Sequence, residues 1–109
     1  MKRKKLLPIQ SQEALTILGQ NIKEARIKRR ISTVLMAQKT GITRVTIGKI
    51  EKGNPNVAIG AYALVIFILG LTDKLKNFLD PFKDIEGLNL EKQNYPKRIR
   101  YKKNEGLLF

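Results

Sequence analysis

The residues most clearly suited to binding a partner are cations that share one face of a short predicted helix. Thr43 can cap the start of this helix, and Ile47 and Ile50 are spaced so that both face inward. The opposite face then carries Val45, Gly48, Lys49 and Lys52. Because this outward face is positively charged, the chemistry predicted for it is the binding of a polyanion.

The net charge of the whole chain leads to the same hypothesis. Lys and Arg number 22 against 9 Asp and Glu, which gives a formal charge of +13. Charge alone does not choose between a nucleic acid and an anionic membrane. However, the longest apolar run, Val57 to Leu71, is shorter than the ~18 to 20 residues that span a bilayer, and the apolar stretch after Lys2 to Lys5 is too short for a signal peptide. We therefore expect a cytoplasmic protein without a membrane partner.

Residue types for enzymatic or metal chemistry are scarce in this sequence. Cysteine and histidine are absent and the nine acids are scattered, so no nucleophile with a base, no carboxylate pair and no metal site is predicted. Gly41 to Lys49 superficially suggests a phosphate-binding loop. Gly41 and Gly48 are too far apart for that motif, however, and Ile50 replaces its Ser or Thr. We expect neither catalysis nor a cofactor.

A long first helix precedes the basic face. Residues 1–10 are basic, lack a helical period and are expected to form a mobile arm, after which Ser11 is the predicted N-cap. Arg26 falls beside the apolar stripe of the predicted helix rather than opposite it, so a buried partner is expected for its side chain. The stripe consists of residues spaced by three and four positions, namely Leu15, Leu18, Ile22 and Ala25.

The segment that follows predicts a short helix, a turn and further helices. Ser32 can cap a second helix that runs to about Lys39, and Gly41 supplies the left-handed residue that ends it. Gly53 to Asn56 is a stop and turn signal. The later predicted helices are a buried core helix, Val57 to Leu69, and a fifth helix, Thr72 to about Leu79, with Asp80-Pro81 closing the domain. These elements predict an all-α, five-helix domain over residues 11–80.

The C-terminal extension, residues 81–109, has a different pattern. Its helical period is weak, and Lys92 to Lys103 contains six basic residues and no acid. The alternation from Arg98 to Lys102 would suit a short strand with one apolar side. We expect this basic arm to contact a second copy or a partner, or to add affinity for DNA that is independent of base sequence.

The spacing from Ile31 to Gly53 resembles the Cro/C1-type helix-turn-helix of the Xre family of phage and bacterial repressors. Upstream, Leu18-Gly19 and Arg26 fit the first helix of that family. The resemblance implies a lambda-repressor-like fold and a bacterial DNA-binding protein that acts as a homodimer on a palindromic operator. The matching positions are Ser32, Met36-Ala37, Gly41-Ile42-Thr43, Ile47, Ile50-Glu51 and Gly53.

The resemblance also implies which side chains face DNA. Arg44, Val45 and Lys49 occupy the positions that reach base edges in these repressors. Arg and Lys suit guanine O6 and N7, and Val suits a thymine methyl group. The family commonly has Gln where this chain has Thr33, so the resemblance implies a shorter or displaced phosphate clamp at that position. The predicted phosphate contacts are Ser32, Thr33, Gln38, Thr43, Thr46 and Lys52.

Two further sets of residues are assigned to the scaffold and to a partner. The family pattern implies that Arg26 and Glu51 meet as a buried or half-buried bidentate pair, which is scaffold rather than site. Val34 and Leu35 fall where the family usually has charged or amide side chains, so they form either an exposed patch for a partner or, after a small rotation of the helix, additional core. The apolar end of the chain, Leu107, Leu108 and Phe109, is a candidate partner contact.

The C-terminal segment resembles the extension of HipB-like Xre regulators, which pair with HipA-like kinase toxins. The resemblance is carried by Leu69-Gly70-Leu71, Asp80-Pro81, Gly87-Leu88, Leu90-Glu91 and Pro96-Lys97-Arg98-Ile99-Arg100. It implies an antitoxin that represses its own operon and has a HipA-like kinase as its partner. Two alternatives remain: a stand-alone phage-type repressor, and a module that binds RNA or another protein and uses the helix-turn-helix only as a scaffold.

Overall fold

The computed structural model describes residues 6–94, all of whose regular elements are helical, which confirms the all-α class. The described residues divide into two compact units, the first ending at Leu75 and the second beginning at Lys76. The predicted strand from Arg98 to Lys102 and the first half of the basic N-terminal arm lie outside the described residues. The α-helices are α1 (Ile9–Lys28), α2 (Thr33–Thr40), α3 (Arg44–Glu51), α4 (Ile59–Ile68), α5 (Thr72–Lys76) and α6 (Ile85–Asn94), with a 3₁₀ turn at Pro81–Lys83.

Helix α1 begins earlier than the sequence predicts. Its N-cap is Pro8, with φ −58° and ψ 151°, and the backbone N–H of Gln12 donates to the Pro8 carbonyl at 3.0 Å. Ser11 is therefore an exposed residue inside the helix and not its cap, and Ile9 and Gln10 belong to the helix rather than to the arm. Proline lacks a backbone N–H and is not tolerated in a helix interior, which limits how far α1 extends toward the N-terminus.

The predicted caps and turn of the helix-turn-helix are confirmed. The Ser32 hydroxyl oxygen accepts from the backbone N–H of Leu35 at 3.0 Å, and the Thr43 hydroxyl oxygen accepts from that of Thr46 at 3.2 Å. Between them, Gly41 has φ +78° and donates its N–H to the Ala37 carbonyl at 2.8 Å. These local bonds end α2 and begin α3, so they set the direction in which α3 leaves the turn.

The core of the first unit lies between α1, α2, α3 and α4. Tyr62 is buried in this core, and its hydroxyl donates a hydrogen bond to the Asn54 carbonyl at 2.8 Å. Burial raises the pKa of the Tyr62 phenol above its ordinary value, so the hydroxyl stays protonated and keeps its donor role. The buried apolar residues are Ile22, Met36, Ile47, Ile50, Tyr62, Val65 and Leu69.

Helix α4 is shorter and less buried than predicted. It spans Ile59–Ile68 rather than Val57 to Leu69, and only Tyr62 and Val65 within it are buried. Ile59 and Phe67 are 80% and 63% exposed. Because nearly every residue of this segment is apolar, its sequence has no polar stripe that would indicate which side faces the core.

The second unit contains a helix that the sequence analysis did not predict. Helix α6 covers the segment of weak helical period, and the Asp84 carboxylate accepts from the backbone N–H of Gly87 at 3.0 Å in its first turn. Upstream, Asp80 caps the 3₁₀ turn by accepting from the Phe82 N–H at 3.0 Å. Side-chain caps thus organise this segment where apolar periodicity is weak. The fifth helix ends at Lys76 rather than near Leu79.

Candidate nucleic-acid interface

Helix α3 has one buried and one basic face. Ile47 and Ile50 are fully buried in the core, whereas Arg44, Lys49 and Lys52 are exposed. Val45, on the same side as the cations, is 70% exposed. A short helix with this division presents several cations and one apolar side chain to a partner while its other side is fixed by the core.

Two threonines organise the start of α3. Thr43 donates its hydroxyl proton to the Thr46 hydroxyl oxygen at 3.1 Å, and the Thr43 oxygen also accepts the Thr46 backbone N–H. The Thr43 hydroxyl is thereby committed to capping. Thr46 accepts the bond from Thr43 and keeps its own proton for an external acceptor such as a phosphate oxygen.

The N-terminus of α2 carries the other predicted phosphate contacts. The Ser32 oxygen is used in capping, but its hydroxyl proton remains a donor for an external acceptor. Thr33 is half-buried at the first helical position, and Gln38 is exposed further along α2. Val34 and Leu35 are 44% and 37% exposed, so Leu35 is not part of the core. Leu107, Leu108 and Phe109 lie outside the described residues.

An ion pair ties the end of α1 to the end of α3. Arg26 donates from Nε to Glu51 Oε2 at 2.6 Å and from Nη2 to Oε1 at 3.0 Å, in a bidentate arrangement. The side chains of Arg26 and Glu51 are only 9% and 8% exposed. Such a pair has a fixed geometry, so it fixes the position of α3 rather than contacting the partner itself.

The Arg26 guanidinium has a third acceptor that the sequence analysis missed. Its Nη1 donates to the backbone carbonyl of Ile31 at 2.8 Å. One side chain therefore connects α1, the segment that leads into α2, and the last residue of α3. No residue type signals this bond in the sequence, because the acceptor is a backbone atom.

Two glycines allow α1 to lie directly against the chain that leaves α3. A Cβ atom on Gly19 would lie 2.6 Å from the backbone nitrogen of Gly53 and 2.7 Å from the Ile50 carbonyl oxygen. A Cβ on Gly53 would overlap the Leu15 carbonyl and lie 2.6 Å from the Thr16 nitrogen. Helix α3 is thus fixed at its C-terminal end by an ion pair and by close backbone packing.

Helices α2 and α3 and the turn between them form a helix-turn-helix with an exposed basic face. Residues 22–60 match the sequence model of the family described as Helix-turn-helix. The match includes α2, the turn and α3, and it supports the Xre, Cro/C1-type family and a DNA-binding transcription regulator. No curated protein and no solved structure gave a significant match. In the part of the chain from residue 6 to residue 94, no helix is both long enough and apolar enough to cross a membrane.

Proposed function

We propose that this chain is a cytoplasmic, sequence-specific transcriptional repressor that inserts α3 into the major groove of double-stranded DNA. The observation that carries the proposal is the exposed basic face of α3, whose other face is fixed in the core. Arg44 and Lys49 would donate to guanine O6 and N7, and Val45 would contact a thymine methyl group. The proposed phosphate contacts are Ser32, Thr33, Gln38, Thr46 and Lys52, together with Thr43 through its backbone N–H, because its hydroxyl is committed to capping.

If Arg44 and Lys49 read base edges, replacing either one should weaken binding by an amount that depends on the DNA sequence. Replacing either residue with Ala should cost about 1 to 3 kcal/mol of binding free energy on the preferred operator and flatten base preference at one position. The operator is first selected from random duplexes, and each variant is then titrated against that operator and against a scrambled duplex.

Lys74→Ala is the matched control, because it removes the same charge from an exposed position on α5, outside the residues that match the family. This control should leave the preference for the operator unchanged. Equal losses on operator and scrambled duplex for Arg44→Ala and Lys49→Ala would assign both side chains to phosphate contact and refute base reading.

We propose that the repressor acts as a homodimer, because α3 has only eight residues and one such helix reads only a few base pairs. The two half-sites should then lie about one helical turn apart, roughly 34 to 36 Å, or a multiple of it. Footprinting on the selected operator, with stoichiometry from analytical ultracentrifugation, measures both quantities. A single asymmetric protected half-site bound by a monomer would contradict the dimer.

We further propose that the chain is the antitoxin and autorepressor of an operon that encodes a HipA-like kinase. The support is the resemblance of the C-terminal segment from Leu69 to Arg100, together with the candidate partner contacts Val34, Leu35, Leu107, Leu108 and Phe109. A kinase gene next to the gene for this chain would favour the antitoxin, and its absence would favour the stand-alone repressor.

A further inference from the structure

Gly48 in the middle of α3 has no role in the fold of the described residues. A Cβ atom placed on it would meet no other atom within 4 Å, and its backbone has ordinary helical geometry rather than a positive φ. Glycine is one of the least favourable residues in a helix interior, so alanine would suit this position better if only folding mattered. Nothing in the described fold therefore requires a glycine here.

The other glycines near the helix-turn-helix differ from Gly48 in this respect. Gly19 and Gly53 leave room for neighbouring backbone, and Gly41 adopts a positive φ. Gly60 on α4 shares the open surroundings and helical geometry of Gly48, but it lies on a different helix. Gly48 alone combines open space with a position on the basic face.

Gly48 lies within the basic face of α3. At 100° per residue it lies between Arg44 and Lys52 around the helix axis, with Val45 next to Lys52, about 100° from the buried Ile47 and about 160° from the buried Ile50. The exposed side chain of Val45 and the bare backbone at Gly48 form a small uncharged spot surrounded by cations. A phosphate would be bound by the cations, whereas an apolar group of a base edge fits the spot itself.

We propose that the space over Gly48 receives the C5-methyl group of a thymine, which brings the backbone of α3 close to the floor of the major groove. This proposal rests on the proposed DNA-binding function and deepens it, because it makes Gly48 a determinant of specificity. The thymine methyl group would pack against the Gly48 Cα and the Val45 side chain. Arg44 and Lys49 would reach their bases only if the helix can approach this closely.

The test adds one methyl group to the protein and removes one from the DNA. Gly48→Ala should raise the melting temperature, because alanine favours the helix, and should weaken binding to the selected operator by about tenfold or more. Replacing one particular thymine of each half-site with uracil, which lacks the C5-methyl group, should then restore most of the affinity of the variant. The same replacement should slightly weaken wild-type binding.

Gly60→Ala is the control, because it adds the same methyl group to an equally open helical position. It should raise the melting temperature and leave operator affinity unchanged. Unchanged operator affinity of Gly48→Ala, a loss of the same size in Gly60→Ala, or the failure of every thymine-to-uracil replacement to restore binding would overturn the inference. A wild-type chain that selects no sequence from random duplexes would instead overturn the proposed function itself.

Discussion

Glu51→Ala is expected to lower the free energy of unfolding by about 3 kcal/mol, because it leaves the Arg26 guanidinium charged and largely buried without its carboxylate. The Ile31 carbonyl remains as an acceptor for Nη1, but Nε and Nη2 lose their partners. Natural domains are stable by only about 5 to 15 kcal/mol, so this single change should remove a large part of the total. Urea denaturation followed by circular dichroism measures it.

Two companion variants separate the buried pair from a general effect of charge. Glu24→Ala removes an exposed acid from α1 and should change the unfolding free energy by no more than about 0.5 kcal/mol. The double variant Arg26→Met with Glu51→Leu should recover much of the loss, since no unpaired charge is left in the interior. A loss below about 1 kcal/mol for Glu51→Ala, or no recovery in the double variant, would show that the pair is not the main support of α3.

Local chemistry explains why the helix-turn-helix could be predicted from the sequence. Ser32 and Thr43 cap helices through bonds to residues only three positions away, and Gly41 ends α2 through its own backbone geometry. The amphipathic period of Ile47 and Ile50 then assigned the two faces of α3. These features depend on short segments, so the fold class and the basic face followed from the sequence.

Helices α1, α4 and α6 were predicted wrongly or missed, because apolar periodicity does not determine them. Pro8 limits how far α1 extends toward the N-terminus, although Ser11 is the better side-chain cap. The apolar sequence of α4 does not distinguish its buried from its exposed side, so the exposure of Ile59 and Phe67 could not be read from it. In α6, the bond from the Gly87 N–H to Asp84 organises a segment with little apolar periodicity.

The candidate site also combines features that the sequence predicts with contacts that only the folded chain reveals. The positions of Val45 and Lys49 on the outward face follow from helical spacing, whereas Arg44 was assigned to the site by the family resemblance. The family pattern implied the pairing of Arg26 with Glu51, but the bond from Arg26 to the Ile31 carbonyl exists only in the folded chain. The contacts that require glycine at positions 19 and 53 are also between distant segments, and a sequence shows a glycine without showing what lies beside it.

Gly53 is the glycine whose replacement should have the largest effect, since two independent constraints meet there. Its φ of +73° is unfavourable for any residue with a Cβ, and that Cβ would overlap the Leu15 carbonyl. The neighbouring atoms belong to the backbone of α1, which cannot move aside as a flexible side chain would. Substitution must therefore shift α1 away from the end of α3, where Gly19 also lies against Gly53.

Gly53→Ala is accordingly expected to destabilise the protein by about 3 kcal/mol or more, as the sum of the backbone strain and the overpacking. Gly41→Ala isolates the strain, because Gly41 has a similar φ of +78° but open space around its Cβ, and it should cost only about 1 kcal/mol. Gly19→Ala isolates the overpacking, because its backbone is helical and the same change normally stabilises a helix. Chemical denaturation of the three variants gives the comparison. Equal losses for Gly53→Ala and Gly41→Ala, or a stabilised Gly19→Ala variant, would show that the close approach of α1 to the end of α3 does not constrain the fold.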